Sequence, residues 1–475
     1  MTDRLSAADT AFLYAQDEGS PMHVGGLVVL DASTSDGSRP ISYDDIVSHI
    51  ADRISLVPRY RQKVRMVPGR LARPVWVDDD EFDLTYHVRR SALPRPGTDA
   101  QLDDLIGRLI SRPLDRARPL WEMYIIEGLA DGRVAVVNKT HEALVDRLGA
   151  VDLAAAILDL DPGAQRVTDG GWIPRPPPSD VDLVVDAVAD LAARPSELID
   201  VLKLAAVDVR STVSRVGGVV SGVAGIVRQT LSPAPRSALG GTGTGQRRYG
   251  RFSAELDVIR RIRTRHEGTV HDVVLAVIAG ALRNWLLSRG EAVTGGGTLR
   301  ALVPMSVERA DTSTVSSLLL DLPTGEPNPV MRLHQIAFAT RAHTAADRGV
   351  GADSLMALGR YSPPTLHALG ARLGMQLSRR SYNVLVTNVP GPQIPLYVAG
   401  HRVETMYPVA PLALGHALAV ACTSYHGQVH FGLTCDREAI PDAGEFSELL
   451  AESLAELAAE TVPRSKGTGH HQEDQ

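Results

Sequence analysis

Over seven consecutive positions the chain places an imidazole, two carboxylates and a guanidinium: His141, Glu142, Asp146 and Arg147. Imidazole titrates near neutral pH and suits a general base that draws a proton from a hydroxyl. A carboxylate such as Glu142 can take that part when burial lifts its pKa from about 4.3 toward 6 or 7. Arg147 opposes the lift, because a nearby cation favours the ionised form. If the strand that precedes this group runs on through it, His141 and Glu142 point to opposite faces, and one cannot simply replace the other. A second imidazole, His271, stands beside Asp272 at the start of a helix. Either Asp272 caps that helix and His271 is a surface or packing residue, or His271 faces a channel and forms a Glu–His pair with Glu142. His23 reads as a satisfied buried histidine and Trp121 as core. Gly240 to Gly245 lacks the Lys-Ser/Thr and the preceding strand of a phosphate loop. No metal-ligand spacing occurs, and His470-His471 reads as tail composition.

The elements that must position these groups follow from periodicity and capping. Arg133 to Thr140 alternates as a strand that would deliver His141 at its end, and Thr269 with Asp272 has capping-box spacing ahead of a helix reaching about Ser288. Ser6 with Asp9 starts a short helix; Val24 to Leu30 reads as a strand, and Tyr43 to Ile54, Gln101 to Ile110 and Val151 to Leu158 as helices. Leu299 to Pro304, Ser316 to Leu322 and Tyr382 to Thr387 read as strands, with helices at Val330 to Ala346 and Ala443 to Glu460. His416 to Thr434 reads as a hairpin turning at His426-Gly427. Pairing Tyr425 with Gln428 sets Cys422 opposite Phe431 and Cys435 opposite Leu418, about 13 Å apart along the sheet and too far for a disulfide. Strands mixed with crossover helices make the fold class α/β.

The chain has 475 residues, 44% hydrophobic and 22% charged, a globular composition long enough for two large halves. A net charge of −7 excludes a broad nucleic-acid-binding surface. Pro174 to Pro178 and the Gly- and Thr-rich stretch Ser237 to Gln246 bracket a connector, 161–248, between halves at 1–160 and 249–463. Inside it, Val216 to Val227 is uncharged but short of the ~20 residues that span a bilayer; it reads as packing on the body or, less favoured, as a membrane-surface helix. Residues 464–475 hold no apolar side chain and read as a disordered tail. No signal peptide opens the chain, so the expected compartment is the cytoplasm.

Arg118 to Leu129, then the strand, then His141 to Arg147 resembles the bacterial wax ester synthase/diacylglycerol acyltransferase family. That family's signature is His-His-x-x-x-Asp-Gly, shared with chloramphenicol acetyltransferase and peptide-synthetase condensation domains. The resemblance runs on through Pro21 to Gly26, Val303-Pro304-Met305-Ser306-Val307, Asp321 to Thr324, Asn388-Val389-Pro390-Gly391-Pro392 and Gly427 to Leu433. It implies two chloramphenicol-acetyltransferase-like α/β halves, each a mixed sheet flanked by helices, with a tunnel between them. It implies transfer of a long-chain acyl group from acyl-CoA, a co-substrate rather than a prosthetic cofactor, to diacylglycerol or a fatty alcohol, with peripheral contact to a membrane or lipid droplet. Aligned on that signature, His141 is the first histidine, Glu142 occupies the place of the catalytic one, Asp146 is the aspartate and Arg147 replaces the glycine. His271 stands where the family has Asn before Asp272, and Ser313 where it tends to have Asn. Ser306, Asn388 and Gly391 fall in motifs beside the substrate channel.

Overall fold

The computed structural model describes residues 3–15, 21–32, 40–145, 156–163, 171–193, 233–241, 243–309, 312–345 and 381–461. Asp146 and Arg147, most of 151–158, the run 216–227 and the tail 464–475 lie outside the described residues.

In the first half, Ser6 accepts from the Asp9 N–H (3.1 Å) and opens α1 (Ala7–Ala15). β1 (Asp3–Arg4), β3 (Gln62–Arg65) and β4 (Val75–Asp78) make a small sheet in the order β1-β4-β3 that local patterning does not announce. β2 (His23–Leu30), β5 (Val88–Ala92), β6 (Trp121–Glu127) and β7 (Val134–His141) form most of a six-stranded sheet. α2 (Tyr43–Arg53) and α3 (Asp99–Ser111) flank it, both opened by reciprocal capping boxes, Ser42 with Asp45 and Thr98 with Gln101. Alternation along β7 sends Val134 and Val136 to one core with Trp121 and Ile50, and Ala135 and Val137 to the other with Leu102 and Ile106 of α3. Trp121 is core, stacked on His87 at 4.6 Å with its indole N–H on the Tyr60 carbonyl (2.8 Å).

Of the connector, α4 (Asp180–Ala193) packs Leu183 and Ala187 on the small sheet and pairs Asp180 with Arg65 (2.8 Å). The second half holds β8 (Arg247–Glu255), β9 (Leu299–Arg309), β10 (Thr312–Leu322), β11 (Val384–Val389), β14 (Leu418–Tyr425) and β15 (Gln428–Asp436), in the order β10-β9-β11-β14-β15-β8. α5 (Leu256–Arg265), α6 (Val270–Ser288), α7 (Pro329–Ala345) and α8 (Ala443–Ala459) accompany that sheet. α6 is the one helix among the described residues long and apolar enough to cross a membrane, but it is buried from Asp272 to Leu282 as the core of this half. The hairpin has the expected register, Cys422 opposite Phe431 and Cys435 opposite Leu418, and both thiols are free.

The two sheets are laced together. β12 (Tyr397–Val398) and β13 (His401–Val409), late in the chain, complete the first half's sheet, β13 pairing antiparallel with β2. Gly432 of β15 lets that strand press on β13, since a Cβ there would sit 1.8 Å from the Pro408 carbonyl oxygen. The Tyr249 hydroxyl donates to that same oxygen (3.0 Å), and Arg251 and Arg248 of β8 pair with Asp103 and Asp104 of α3. The two six-stranded sheets with their flanking helices make the mixed α/β architecture that the sequence implies.

Candidate functional site

β7 ends at His141, and the chain enters a one-turn 3-10 helix, Glu142–Leu144. The alternation of faces therefore stops between the two candidate residues. His141 is fully buried and caps the turn: its Nδ1 accepts from the Ala143 N–H at 3.0 Å. That bond leaves the ring proton on Nε2, because Nδ1 is occupied as an acceptor. Burial, with Arg116 adding to it, pushes the His141 pKa down to about 3. At neutral pH the ring is thus a neutral donor through Nε2. The Glu142 N–H donates to the Met22 carbonyl at 2.9 Å, tying the turn to the segment before β2.

His23 of β2 stands directly opposite His141 in the antiparallel register. It too is buried, and burial first, then Lys139 and His141, holds its pKa well below the ordinary value. His23 borders a void of about 10 Å³, room for one water at most. Two residues before His141, the Lys139 ammonium donates to Glu122 (2.8 Å) and to the Arg112 carbonyl (3.1 Å), and the Tyr124 hydroxyl donates to Glu122 (2.8 Å). This buried ion pair anchors the end of β7 to β6 and α3.

The second cluster is built at the start of α6. Thr269 and Asp272 make both bonds of a capping box, Asp272 Oδ2 accepting from the Thr269 N–H (2.9 Å) and hydroxyl (2.7 Å). Asp272 Oδ1 accepts from the Thr340 hydroxyl of α7 (2.6 Å), so both oxygens of this buried carboxylate are used within the protein. Its neighbour His271 points elsewhere, Nδ1 lying 3.2 Å from the Asn388 side-chain nitrogen at the end of β11. His271 Nε2 is buried without a hydrogen bond, and burial, opposed by Asp272, lowers the ring's pKa.

His271 and Asn388 line a cavity of about 720 Å³ with Pro304, Gly391 and Ser424. Gly391 lies against β14 where a Cβ would sit 2.2 Å from the Ser424 carbonyl oxygen, and its N–H donates to the Ser424 hydroxyl (3.1 Å). Ser306 sits on β9 opposite Val315, two positions beyond Pro304. The structure thus brings His271, Asn388 and Gly391 to one wall; the lining includes neither His141 nor Glu142 among the described residues. Arg260 and Arg263 of α5 also line it. Sequence reasoning passed over them because arginines on the polar face of an amphipathic helix read as a solvated surface.

The model of the wax ester synthase/diacylglycerol acyltransferase catalytic domain matches residues 5–274, and that of the family's C-terminal domain matches residues 313–458. The chain belongs to the wax ester synthase/diacylglycerol acyltransferase family. A Mycobacterium tuberculosis protein designated a probable diacylglycerol O-acyltransferase is 33% identical over 96% of both chains, and a second from that species is 32% identical over 96% of this chain and 98% of its own. Among solved structures, the wax ester synthase/diacylglycerol acyltransferase of Marinobacter aquaeolei VT8 superposes with a TM-score of 0.67 at 29% identity, covering 96% of this chain and 99% of its own. The first condensation domain of the calcium-dependent antibiotic synthetase gives 0.56 at 14% identity over 97% and 96%, a likeness of fold alone.

Proposed function

We propose that the chain moves a long-chain acyl group from acyl-CoA to the hydroxyl of diacylglycerol or a fatty alcohol, forming triacylglycerol or wax ester. Membership of the family across both halves carries this reading. The acceptor hydroxyl gives its proton to a base, its oxygen attacks the thioester carbonyl, and the collapsing intermediate expels CoA, whose thiolate takes up the proton. His271 is the base of choice: it faces the cavity, its Nε2 is uncommitted, and a lowered pKa keeps it neutral and ready to accept a proton. The Asn388 amide orients the ring, and turning that amide over exchanges its donor for its acceptor, which selects the nitrogen that carries the proton. Glu142, at the place of the family histidine, is the second candidate.

The remaining assignments follow the same frame. His141 supports the turn, and Asp146 and Arg147 stand at the family's aspartate and glycine positions. Asp272 positions His271 through the helix cap, and Ser306, Asn388 and Gly391 bind substrate beside it. Acyl-CoA enters as co-substrate with no prosthetic group. The protein works from the cytoplasm in peripheral contact with a membrane or lipid droplet, where its acceptors partition, and nucleic acid is no partner.

A second reading, a catalytically silent paralogue that binds acyl-CoA or neutral lipid or serves as a partner subunit, is favoured by one observation. The first signature histidine has its basic nitrogen committed to the Ala143 N–H, and a carboxylate stands in for the second. The deciding experiment measures transfer from palmitoyl-CoA to diacylglycerol and to hexadecanol by wild type and by Glu142→His/Arg147→Gly. Turnover by wild type supports the transferase. A silent wild type beside an active double variant establishes the second reading.

A further inference from the structure

The cavity at the start of α6 has a lining of one charge sign. Its walls are apolar at Leu256, Val270, Val389 and Val429, amide-bearing at Asn388 and Gln393, and charged only at Arg260 and Arg263 among the described residues. These two arginines lie three residues apart and so share one face of α5. Ile259 and Ile262, buried in the core of the second half, fix the helix, while Leu256 lies one turn before Arg260 on the cavity side. Arg263 has no ion pair among the described residues. Arg260 has one, to Asp257 on its own helix (3.1 Å), in which both side chains are more than half exposed. Such an exposed pair is worth less than about 1 kcal/mol and yields readily to a better anion. Among the described residues no carboxylate lines the cavity to compete for either guanidinium.

A chamber with apolar walls and two available guanidinium groups at one side is complementary to an amphiphile with a phosphorylated head. Guanidinium forks bind phosphate oxygens in pairs, which gives direction as well as attraction. On the reading of this chain as an acyl-CoA-dependent transferase, we infer that Arg260 and Arg263 hold the phosphates of the CoA nucleotide, with the pantetheine arm running along the cavity toward His271. The arginines set affinity and orientation for the donor and take no part in bond making.

The test titrates the full chain with CoA itself and measures turnover with palmitoyl-CoA and with S-palmitoyl pantetheine, which lacks every phosphate. Arg260→Ala/Arg263→Ala is compared with Arg261→Ala, a change on the same helix at a residue outside the cavity. The double variant is expected to bind CoA 10- to 100-fold more weakly and to raise KM for palmitoyl-CoA by a similar factor. Its kcat at saturating donor stays within threefold, and its rate with the pantetheine thioester equals that of wild type. Arg261→Ala stays within twofold in every measurement. The inference is overturned if wild type does not bind CoA, if Arg261→Ala weakens CoA as much as the double change, or if both thioesters suffer alike. It is also overturned if the arginines govern binding to phosphatidylglycerol vesicles while CoA affinity is unchanged, which would make α5 a lipid-surface contact. The titration needs no turnover, so a silent wild type would count against the proposed function while this assignment still met its own test.

Discussion

His141 and His271 both stand at the border of a secondary-structure element beside an acidic residue, one closing β7 and the other opening α6. The His141 ring is committed: it caps the next turn, and its strand is held by the buried Lys139–Glu122 pair, while its register partner His23 is buried beside a void of about 10 Å³ with no hydrogen bond on either ring nitrogen. Around His271 the commitments stop at the backbone. Asp272 is spent on the helix cap and on Thr340, while the imidazole, which borders a cavity of about 720 Å³, meets Asn388 on one nitrogen and has no hydrogen bond on the other. Chemistry needs a group that is held and yet has something left to give. In the described residues the second half supplies that combination, and the first half supplies rigidity.

The largest expected effect breaks the rigid side. Lys139→Met leaves Glu122 buried with Arg89 and Tyr124 as its remaining partners. Removing one member of a buried pair costs about 3–5 kcal/mol, and adding Glu122→Gln should recover much of that. Urea denaturation of the single and double variants checks this; a single variant within 1 kcal/mol of wild type would mean that the end of β7 is not anchored by charge.

Next comes the base. His271→Ala should lower kcat about 100-fold or more, the usual range for losing general-base catalysis, with KM for palmitoyl-CoA within threefold. Glu142→Ala should cost less than tenfold. The acid limb of the wild-type kcat/KM profile should fall below pH 6.5, since burial lowers the His271 pKa. The reverse order of the two alanine variants would move the chemistry back to the first half.

The sealed imidazole makes its own prediction. His141 has a folded pKa of about 3 against an ordinary 6.5, so its contribution to stability is complete above pH 6.5 and is lost as pH falls toward 3. By pH 5 the loss from this residue is about 2 kcal/mol. In His141→Asn an amide oxygen can still accept from the Ala143 N–H, so the variant should lose that much less than wild type between pH 7 and pH 5 in chemical denaturation. An unchanged pH slope would show that His141 is protonated in the folded protein. His430, also lowered by burial, adds to the slope of both proteins equally.

What the sequence disclosed divides along the same line between local and distant commitments. The capping boxes at Thr269 and the helix start at Ser6 are local, written within four residues, and the structure forms them as read. The hairpin register followed from one tight turn and fixed the separation of the cysteines without any tertiary knowledge. By contrast, β13 joins β2 from nearly the other end of the chain, and nothing in the pattern of His401 to Val409 names its partner. β6 is buried on both faces and so lacks the alternation that marks a half-exposed strand. The capping role of Asp272 was legible; the meeting of His271 with Asn388, and of both with two arginines of α5, depends on the packing of α5 and α6 on the second sheet.

The smallest expected effect concerns the loop that carries Asn388 beside His271. The Ser424 hydroxyl accepts from the Gly391 N–H (3.1 Å) and from the Gln393 side chain (3.0 Å), holding the Asn388–Gly391 loop against β14. Gln393 is exposed and water can replace the lost acceptor, so Ser424→Ala should cost only about 0.5–1 kcal/mol of stability. The cavity wall loosens while His271 and Asn388 keep their contact, so KM for palmitoyl-CoA should rise about threefold with kcat unchanged. A fall in kcat comparable to that of His271→Ala would mean that the loop takes part in the chemistry, because a change that spares the imidazole can reach kcat only through groups that touch the reacting atoms.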